Sequence, residues 1–159
     1  MIDTQSPSEF FKELTLGYRR ARAVMSAHEL GIFSTLAARP LTLEQLALQL
    51  RCDPSQLELL LNALVTLGLV QRRAECFANA PLAERCLVAD APGYVGNNIA
   101  FQNILWESWA NLPQVIRSGR PHKRLAELIQ GREAGFTAEY IRGMVPISER
   151  PARAVADIL

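Results

Sequence analysis

The sequence has few of the residues on which metal sites and disulfide scaffolds depend. Its 159 residues include three cysteines and two histidines, and no two cysteines form a CxxC pair. An odd number of cysteines excludes a fully paired disulfide framework, and free thiols are the rule in a reducing cytoplasm. Four well-placed nitrogen and sulfur ligands, which a structural zinc site needs, are not expected from this set. We therefore expect no metal site.

An excess of charge of one sign is also lacking. Lysine and arginine number 17 and aspartate and glutamate 16, a formal net charge of +1, whereas nucleic-acid-binding domains are usually strongly basic. The first thirty residues contain Asp3, Glu9, Lys12 and Glu13 and no continuous apolar run, so neither a secretion signal nor a membrane span is expected. These observations favour a soluble, cytoplasmic protein that binds neither nucleic acid nor membrane.

The strongest local pattern lies in residues 42–70, where two short helices, a turn and a strand are predicted. Thr42 and Gln45 have the spacing of a capping box, which starts a helix. Asp53 and Pro54 start a second one, since aspartate caps free amides and proline suits the first helical position. Residues that recur at helical spacing predict one apolar face in the first helix and a buried stripe in the second. They are Leu43, Leu46, Ala47 and Leu50 in the first helix, and Leu57, Leu60, Leu61, Leu64 and Leu67 in the second.

Gly68 ends the second helix, and a β-hairpin is predicted after it. Its strands cover residues 69–73 and 76–78, with the turn near Ala74 and Glu75. Two helices around a tight turn, followed by a hairpin, form a winged helix-turn-helix. The expected fold class is therefore mainly α, with a small β-hairpin as the wing.

The second helix of such a unit reads DNA when it presents hydrogen-bond donors among cations. Here no lysine or arginine occurs between Asp53 and Leu67, and Arg72 and Arg73 are interpreted as a solvated strand face. A DNA-binding regulator remains the minor alternative. The outward positions are predicted to be Ser55, Gln56, Glu58, Asn62 and Thr66.

An N-terminal helix from about Ser8 to Leu30 is predicted to be apolar on several sides. Its stripe consists of Phe11, Leu14, Tyr18, Ala21, Met25 and His28. Because a small winged core cannot cover so much apolar surface, we predict a homodimer through Phe11, Leu14, Tyr18 and Met25. His28 is interpreted as a hydrogen-bonded core or interface histidine.

The C-terminal part carries further helices. A helix capped by Asn97 or Asn98 has an aromatic stripe that is either core or the wall of a cleft. Another helix begins at Thr137 and is expected to end before Pro146, and a last one begins at Ser148. Since the last helix reaches Leu159 without a stop signal, we expect the protein to continue. The aromatic stripe is made by Phe101, Leu105, Trp106, Trp109 and Leu112.

From Leu16 to about Leu159 the chain resembles the N-terminal region of S-adenosylmethionine-dependent small-molecule O-methyltransferases, the type that methylates plant phenolics and bacterial polyketides. The order and spacing of short segments carry this resemblance. They are Gly17-Tyr18, Arg22-Ala23, Glu29 to Phe33, Pro40-Leu41-Thr42, Leu60 to Leu64, Leu67-Gly68-Leu69, Trp106, Trp109, Gly119, Phe136 and Met144.

The resemblance implies a winged-helix dimerisation domain whose helices interlock with a partner subunit and do not bind DNA. It also implies that residues 101–109 and 136–144 help to wall the pocket of a small aromatic or polyketide-like acceptor. The candidate lining residues are Phe101, Asn103, Trp106, Trp109, Phe136, Tyr140 and Met144. Ala80 stands where threonine is usual after the wing, and we expect Asn79 to take the capping role.

The main departure from the family is that the chain contains no glycine-rich turn after a strand and no match to the family's catalytic histidine. We therefore expect no catalytic or cofactor-binding residue here, although S-adenosylmethionine is expected for the full-length parent. The predicted organisation has N-terminal dimerisation helices in residues 1–36 and a winged-helix core in 37–90. A helical substrate lid and linker to a missing Rossmann-like catalytic domain occupies 91–159.

The chain is thus interpreted as the dimerisation and substrate-pocket portion of a methyltransferase of secondary metabolism, inactive alone. Two alternatives stay open. One is a winged-helix regulator that senses an aromatic ligand, and the other is a stand-alone partner subunit of a methyltransferase.

Overall fold

The computed structural model describes residues 6–122 and 135–156 and divides the chain into two compact units, Met1–Pro92 and Gly93–Leu159. The fold is mainly helical, with one small three-stranded antiparallel sheet. The first unit contains α1 (Pro7–Glu29), α2 (Ile32–Ala38), β1 (Leu41–Thr42), α3 (Leu43–Leu50), α4 (Pro54–Thr66), β2 (Val70–Arg73), β3 (Cys76–Asn79) and α5 (Pro81–Cys86). The second contains α6 (Gly96–Ala110), α7 (Leu112–Ser118) and α8 (Gly135–Ala156).

The helix boundaries of the first unit follow the local signals in the sequence. The Thr42 hydroxyl accepts a hydrogen bond from the Gln45 amide at 3.3 Å, and the Gln45 side chain accepts one from the Thr42 amide at 3.2 Å. The Asp53 carboxylate caps α4 through the Gln56 amide at 2.9 Å. Gly68 follows the end of α4 with φ at +70°, a conformation that glycine adopts without steric cost. Both predicted helix starts and the stop are confirmed.

The sheet has the strand order β1–β3–β2. The predicted hairpin is confirmed as β2 and β3, and Ala74 in its turn adopts a left-handed conformation with φ at 53°. β1 was not predicted from the sequence. Its Leu41 lies opposite Phe77 of β3, and both side chains are buried.

The core of the first unit lies where α2, α3, α4 and the sheet meet. On α4, Leu57, Leu61 and Leu64 are buried as predicted. Leu60 and Leu67 are only half-buried, which corrects the predicted stripe. The buried apolar side chains of this unit also include Ala27, Ile32, Phe33, Leu36, Leu41, Leu46, Ala47, Val70, Phe77, Ala83 and Leu87.

Asn79 does not cap the helix that follows the hairpin. α5 begins after Ala80 without a side-chain cap. The Asn79 side chain is buried, and its amide donates a hydrogen bond to the Phe33 carbonyl at 2.8 Å. This bond joins β3 to α2. It gives the buried NH2 group of Asn79 the acceptor that a buried donor needs. The capping role expected for Asn79 is therefore wrong.

The second unit also departs from two local expectations. α6 begins at Gly96 with no side-chain cap, so neither Asn97 nor Asn98 caps it. α8 is one helix that continues through Pro146, where the sequence predicted a break and a second helix from Ser148. A proline removes one hydrogen bond from the helical ladder, and the ladder on either side of it can persist. Among the described helices, none is long and apolar enough to cross a membrane.

Two leucines of α4 allow a matched test of this core. Leu61 is 0% exposed and Leu59 is 64% exposed. We predict that Leu61→Ala lowers the free energy of unfolding by about 2–5 kcal/mol, because it leaves a cavity in the core. Leu59→Ala should change it by less than about 0.5 kcal/mol. Urea unfolding followed by circular dichroism measures both, and equal effects would contradict the described packing.

Candidate dimer interface and acceptor-binding residues

The first half of α1 carries a row of exposed apolar side chains. Ser6 and Glu9 form a capping box at its start, which fixes where the helix begins. Phe11 is 60% exposed, Leu14 67% and Tyr18 53%. Phe10 widens the row and packs edge-on against Phe11, with the ring centroids 5.4 Å apart. Such a row of exposed large apolar side chains is typical of an interaction surface.

The second half of α1 is anchored in the first unit, where the helix packs on α2 and α4. Ala27 is 0% exposed, and Met25 and His28 are half-buried. Burial lowers the pKa of His28 by disfavouring its charged form. The half-burial of Met25 separates it from Phe11, Leu14 and Tyr18, with which the sequence grouped it.

The outward face of α4 is uncharged. Ser55, Leu59, Asn62 and Thr66 are exposed on it. The predicted outward Glu58 instead turns towards the hairpin, where one of its carboxylate oxygens lies 3.9 Å from Nη1 of Arg72.

Arg72 also lies over an aromatic ring of its own sheet. Its guanidinium carbon lies 5.5 Å from the centroid of the Phe77 ring. The neighbouring Arg73 donates a hydrogen bond to the Gln71 side chain at 2.9 Å. The two arginines of β2 therefore lie beside groups of their own hairpin and of α4.

In the second unit, α6 and α8 approach each other closely at Gly143. A Cβ atom added there would lie 3.1 Å from the Asn97 carbonyl oxygen and 3.2 Å from Cβ of Phe101. The Asn98 side-chain amide donates a hydrogen bond to the Gly143 carbonyl at 3.1 Å. Glycine lets the two backbones meet here because it has no side chain. The contact brings Phe101 next to α8, where Met144 follows Gly143.

The predicted lining residues are distributed over more than one side of these helices. Phe101 is buried, whereas Asn103 and Trp106 are half-buried and Trp109 is 66% exposed. At about 100° per residue, Asn103 lies roughly 200° around α6 from Phe101. Met144 of α8 is half-buried. Phe136 and Tyr140 belong to α8, but their side chains lie outside the described part of the structure.

No group of three or more metal-ligating side chains occurs within residues 6–122 and 135–156. His122, the second histidine of the chain, has its Nε2 atom 3.3 Å from a Glu107 carboxylate oxygen. Cys52, Cys76 and Cys86 are free thiols.

Comparison with known proteins identifies the family of residues 12–89. The family model of the O-methyltransferase dimerisation domain matches residues 12–89. The chain is 38% identical over 109 residues to the tetracenomycin polyketide synthesis 8-O-methyl transferase TcmO of Streptomyces glaucescens, an alignment that covers 67% of this chain and 32% of the relative. It is 33% identical over 108 residues to the N,N-dimethyltransferase OxyT of Streptomyces rimosus, covering 67% and 31%. The chain thus matches about a third of the length of these relatives.

Solved structures show the same fold. An O-methyltransferase family protein from Burkholderia thailandensis superposes with a TM-score of 0.79 at 22% identity, covering 96% of this chain and 46% of that one. Human N-acetylserotonin methyltransferase, solved in complex with SAM, superposes with a TM-score of 0.74 at 21% identity, covering 92% and 47%.

The close approach of α6 and α8 at Gly143 can be tested by adding a side chain there. Gly143→Val should lower the melting temperature, because its side chain would overlap Asn97 and Phe101, and overpacking typically costs about 1–3 kcal/mol. Ala154→Val serves as the control, since Ala154 is exposed on the same helix and the change there costs only the difference in helix propensity, roughly 0.6 kcal/mol. Thermal unfolding compares the two, and a Gly143→Val protein no less stable than the control would contradict the contact.

Proposed function

Residues 12–89 belong to the O-methyltransferase dimerisation domain family, and we propose that the chain is the dimerisation and substrate-pocket portion of an S-adenosylmethionine-dependent methyltransferase. The cofactor would bind to polypeptide outside this chain, which is inactive alone. Two facts support a cofactor site outside this chain. The curated relatives are about three times as long as the aligned region. Within the described residues, no strand leads into a glycine-rich turn that could approach a cofactor.

The observation that carries the proposal is the exposed row Phe11, Leu14 and Tyr18 on α1. These residues lie in or directly beside the part of the chain that matches the dimerisation domain. The core of the first unit holds only the second half of α1, so the first half needs another surface to cover it. A second copy of the same chain supplies such a surface, and two-fold dimers are the commonest oligomers. Met25, half-buried in the chain, lies at the edge of the proposed interface.

The first unit serves in this proposal as a winged-helix scaffold rather than a DNA reader. The order α3, α4, β2, β3, with β1 added to the sheet, is the element order of a winged helix. Its second helix has no lysine or arginine, and Glu58 lies beside the nearest cation of the hairpin. Three free thiols favour a reducing compartment, in keeping with the cytoplasm.

The acceptor is proposed to be a flat aromatic or polyketide-like molecule that contacts α6 and α8. Phe101 and Met144 lie where these helices meet, and Trp106 and Trp109 add aromatic surface further along α6. Asn103, Phe136 and Tyr140 complete the proposed set. The relatives that act in polyketide synthesis and on a naphthoate, by their names, support an aromatic acceptor. Methyl transfer to oxygen is proposed, with nitrogen as the alternative because OxyT is an N,N-dimethyltransferase.

The absence of DNA binding is directly testable. With an uncharged α4 face, the protein should not retard a random-sequence DNA duplex at low salt, where phosphate contacts are strongest. A gel shift at micromolar protein concentration measures this. A clear shift that disappears as salt is raised would favour the alternative, a winged-helix regulator that senses an aromatic ligand.

The dimer is tested by placing a charge on α1. Leu14→Glu should raise the dimer dissociation constant by about 100-fold or more, because an unpaired carboxylate would become buried in the interface. Leu48→Glu is the matched control, since Leu48 is 81% exposed on α3, outside the proposed interface. Sedimentation equilibrium measures both. A wild-type chain that is monomeric at micromolar concentration, or equal effects of the two substitutions, would contradict the proposed interface.

A further inference from the structure

The charges beside the apolar row of α1 specify how a second copy docks. We propose that the two α1 helices pack antiparallel, with Arg20 of each copy beside Glu13 of the other. The helices would then cross near Gly17. This inference rests on the proposed dimerisation through α1, and its test separates the orientation of the helices from the existence of the dimer.

Glu13 and Arg20 lie on one side of the apolar seam of α1. Phe10, Leu14, Gly17 and Ala21 follow the alternating spacing of four and three residues that lines the seam of paired helices. Glu13 and Arg20 are one heptad apart and precede Leu14 and Ala21 directly, so both lie on the same flank of this seam, about 70–90° from its centre. The opposite flank is apolar, since Phe11 and Tyr18 lie there. Glu13 and Arg20 are exposed.

Glu13 and Arg20 have no opposite charge three or four residues away within α1. The positions three and four residues from each towards the other are Leu16 and Gly17, which are uncharged. Glu9, four residues before Glu13, is a like charge, and such pairs are mildly destabilising. Of the ion pairs between described residues, none includes Glu13 or Arg20. A cation from another chain would relieve this repulsion.

Glu9, one helical turn before Glu13, adds a second negative charge that favours the antiparallel orientation. Its Oε2 accepts hydrogen bonds from the Ser6 amide and the Ser6 hydroxyl, both at 3.0 Å. A carboxylate has about four acceptor positions, so the capping box does not saturate it. The capping box also holds this second negative charge on the same side of α1 as Glu13. Arg20 of the second copy therefore meets two acidic side chains.

Only the antiparallel orientation of two α1 helices brings opposite charges together and apolar side chains together. In an antiparallel pair related by a two-fold axis, each flank meets the same flank of the other copy. Glu13 then meets Arg20, and the apolar flanks with Phe11 and Tyr18 meet each other. In a parallel pair each flank meets the opposite one, which would press Glu13 and Arg20 against Phe11 and Tyr18. Burying a charge against an apolar side chain without a partner is costly.

Gly17 lies where the antiparallel helices would cross, because the midpoint between Glu13 and Arg20 falls between Leu16 and Gly17. It is exposed, and nothing lies within 4 Å of the position that its Cβ would occupy. A glycine inside a helix costs about 1 kcal/mol relative to alanine. No contact within the first unit requires glycine there, whereas the close approach of a second helix backbone does.

The experiment exchanges the two charges in the 159-residue chain. Glu13→Lys and Arg20→Glu should each raise the dimer dissociation constant by about tenfold, because each places like charges at both symmetry-related contacts. The double variant E13K/R20E should dimerise more tightly than either single variant, because the exchanged charges pair again, and less tightly than wild type, because the new carboxylate at position 20 also faces Glu9. An equimolar mixture of the two single variants should form heterodimers in preference to either homodimer, which native mass spectrometry counts directly. Sedimentation equilibrium gives the dissociation constants.

Lys12→Glu provides the control, since Lys12 lies on the outer side of α1, away from the seam, and the substitution should leave the dissociation constant unchanged. Circular dichroism checks that each variant is folded, and the differences should shrink at 1 M salt. Single variants that dimerise as wild type does, or a double variant weaker than either single one, would overturn the antiparallel orientation while the dimer stands. A wild-type chain that does not dimerise would overturn the proposed function itself, and this inference with it.

Discussion

Only the second half of α1 is held by the core of its own unit. Ala27 is fully buried, while Phe11, Leu14 and Tyr18, about one to three turns from the start of the helix, are more than half exposed. A long helix is stable mainly where an apolar face packs on something. The first half of α1 therefore carries the proposed dimer interface. The first unit holds the second half of α1, and the proposed dimer would cover the first half.

The proposal that the first unit does not bind DNA rests on the charges around α4. The outward face of α4 offers Leu59 and uncharged polar side chains, and the hairpin's Arg72 lies near both Glu58 and the Phe77 ring. Affinity for nucleic acid depends first on cations that reach phosphates. The contacts of Arg72 with Glu58 and Phe77 therefore support the proposed structural role of the first unit.

Sequence reasoning succeeded where the cause of a structure is local. The capping residues Thr42 and Asp53 and the stop at Gly68 act within a few residues, and each was located correctly. It failed where a structure depends on contacts between residues far apart in the sequence. β1 is two residues long and exists because Leu41 pairs with Phe77, and Asn79 is turned inward by the Phe33 carbonyl. The contact of Phe101 with α8 depends on Gly143, a distant glycine whose lack of a side chain matters only once the helices have packed.

Hydrogen exchange measured at two protein concentrations tests the central claim, that a second copy completes the surface of α1. At high concentration the amides of residues 10–18 should exchange much more slowly than at low concentration, because dimerisation protects the first half of the helix. The amides of α4 should exchange equally at both concentrations, since the core of the first unit lies within one chain. Protection of residues 10–18 that does not depend on concentration would contradict the account.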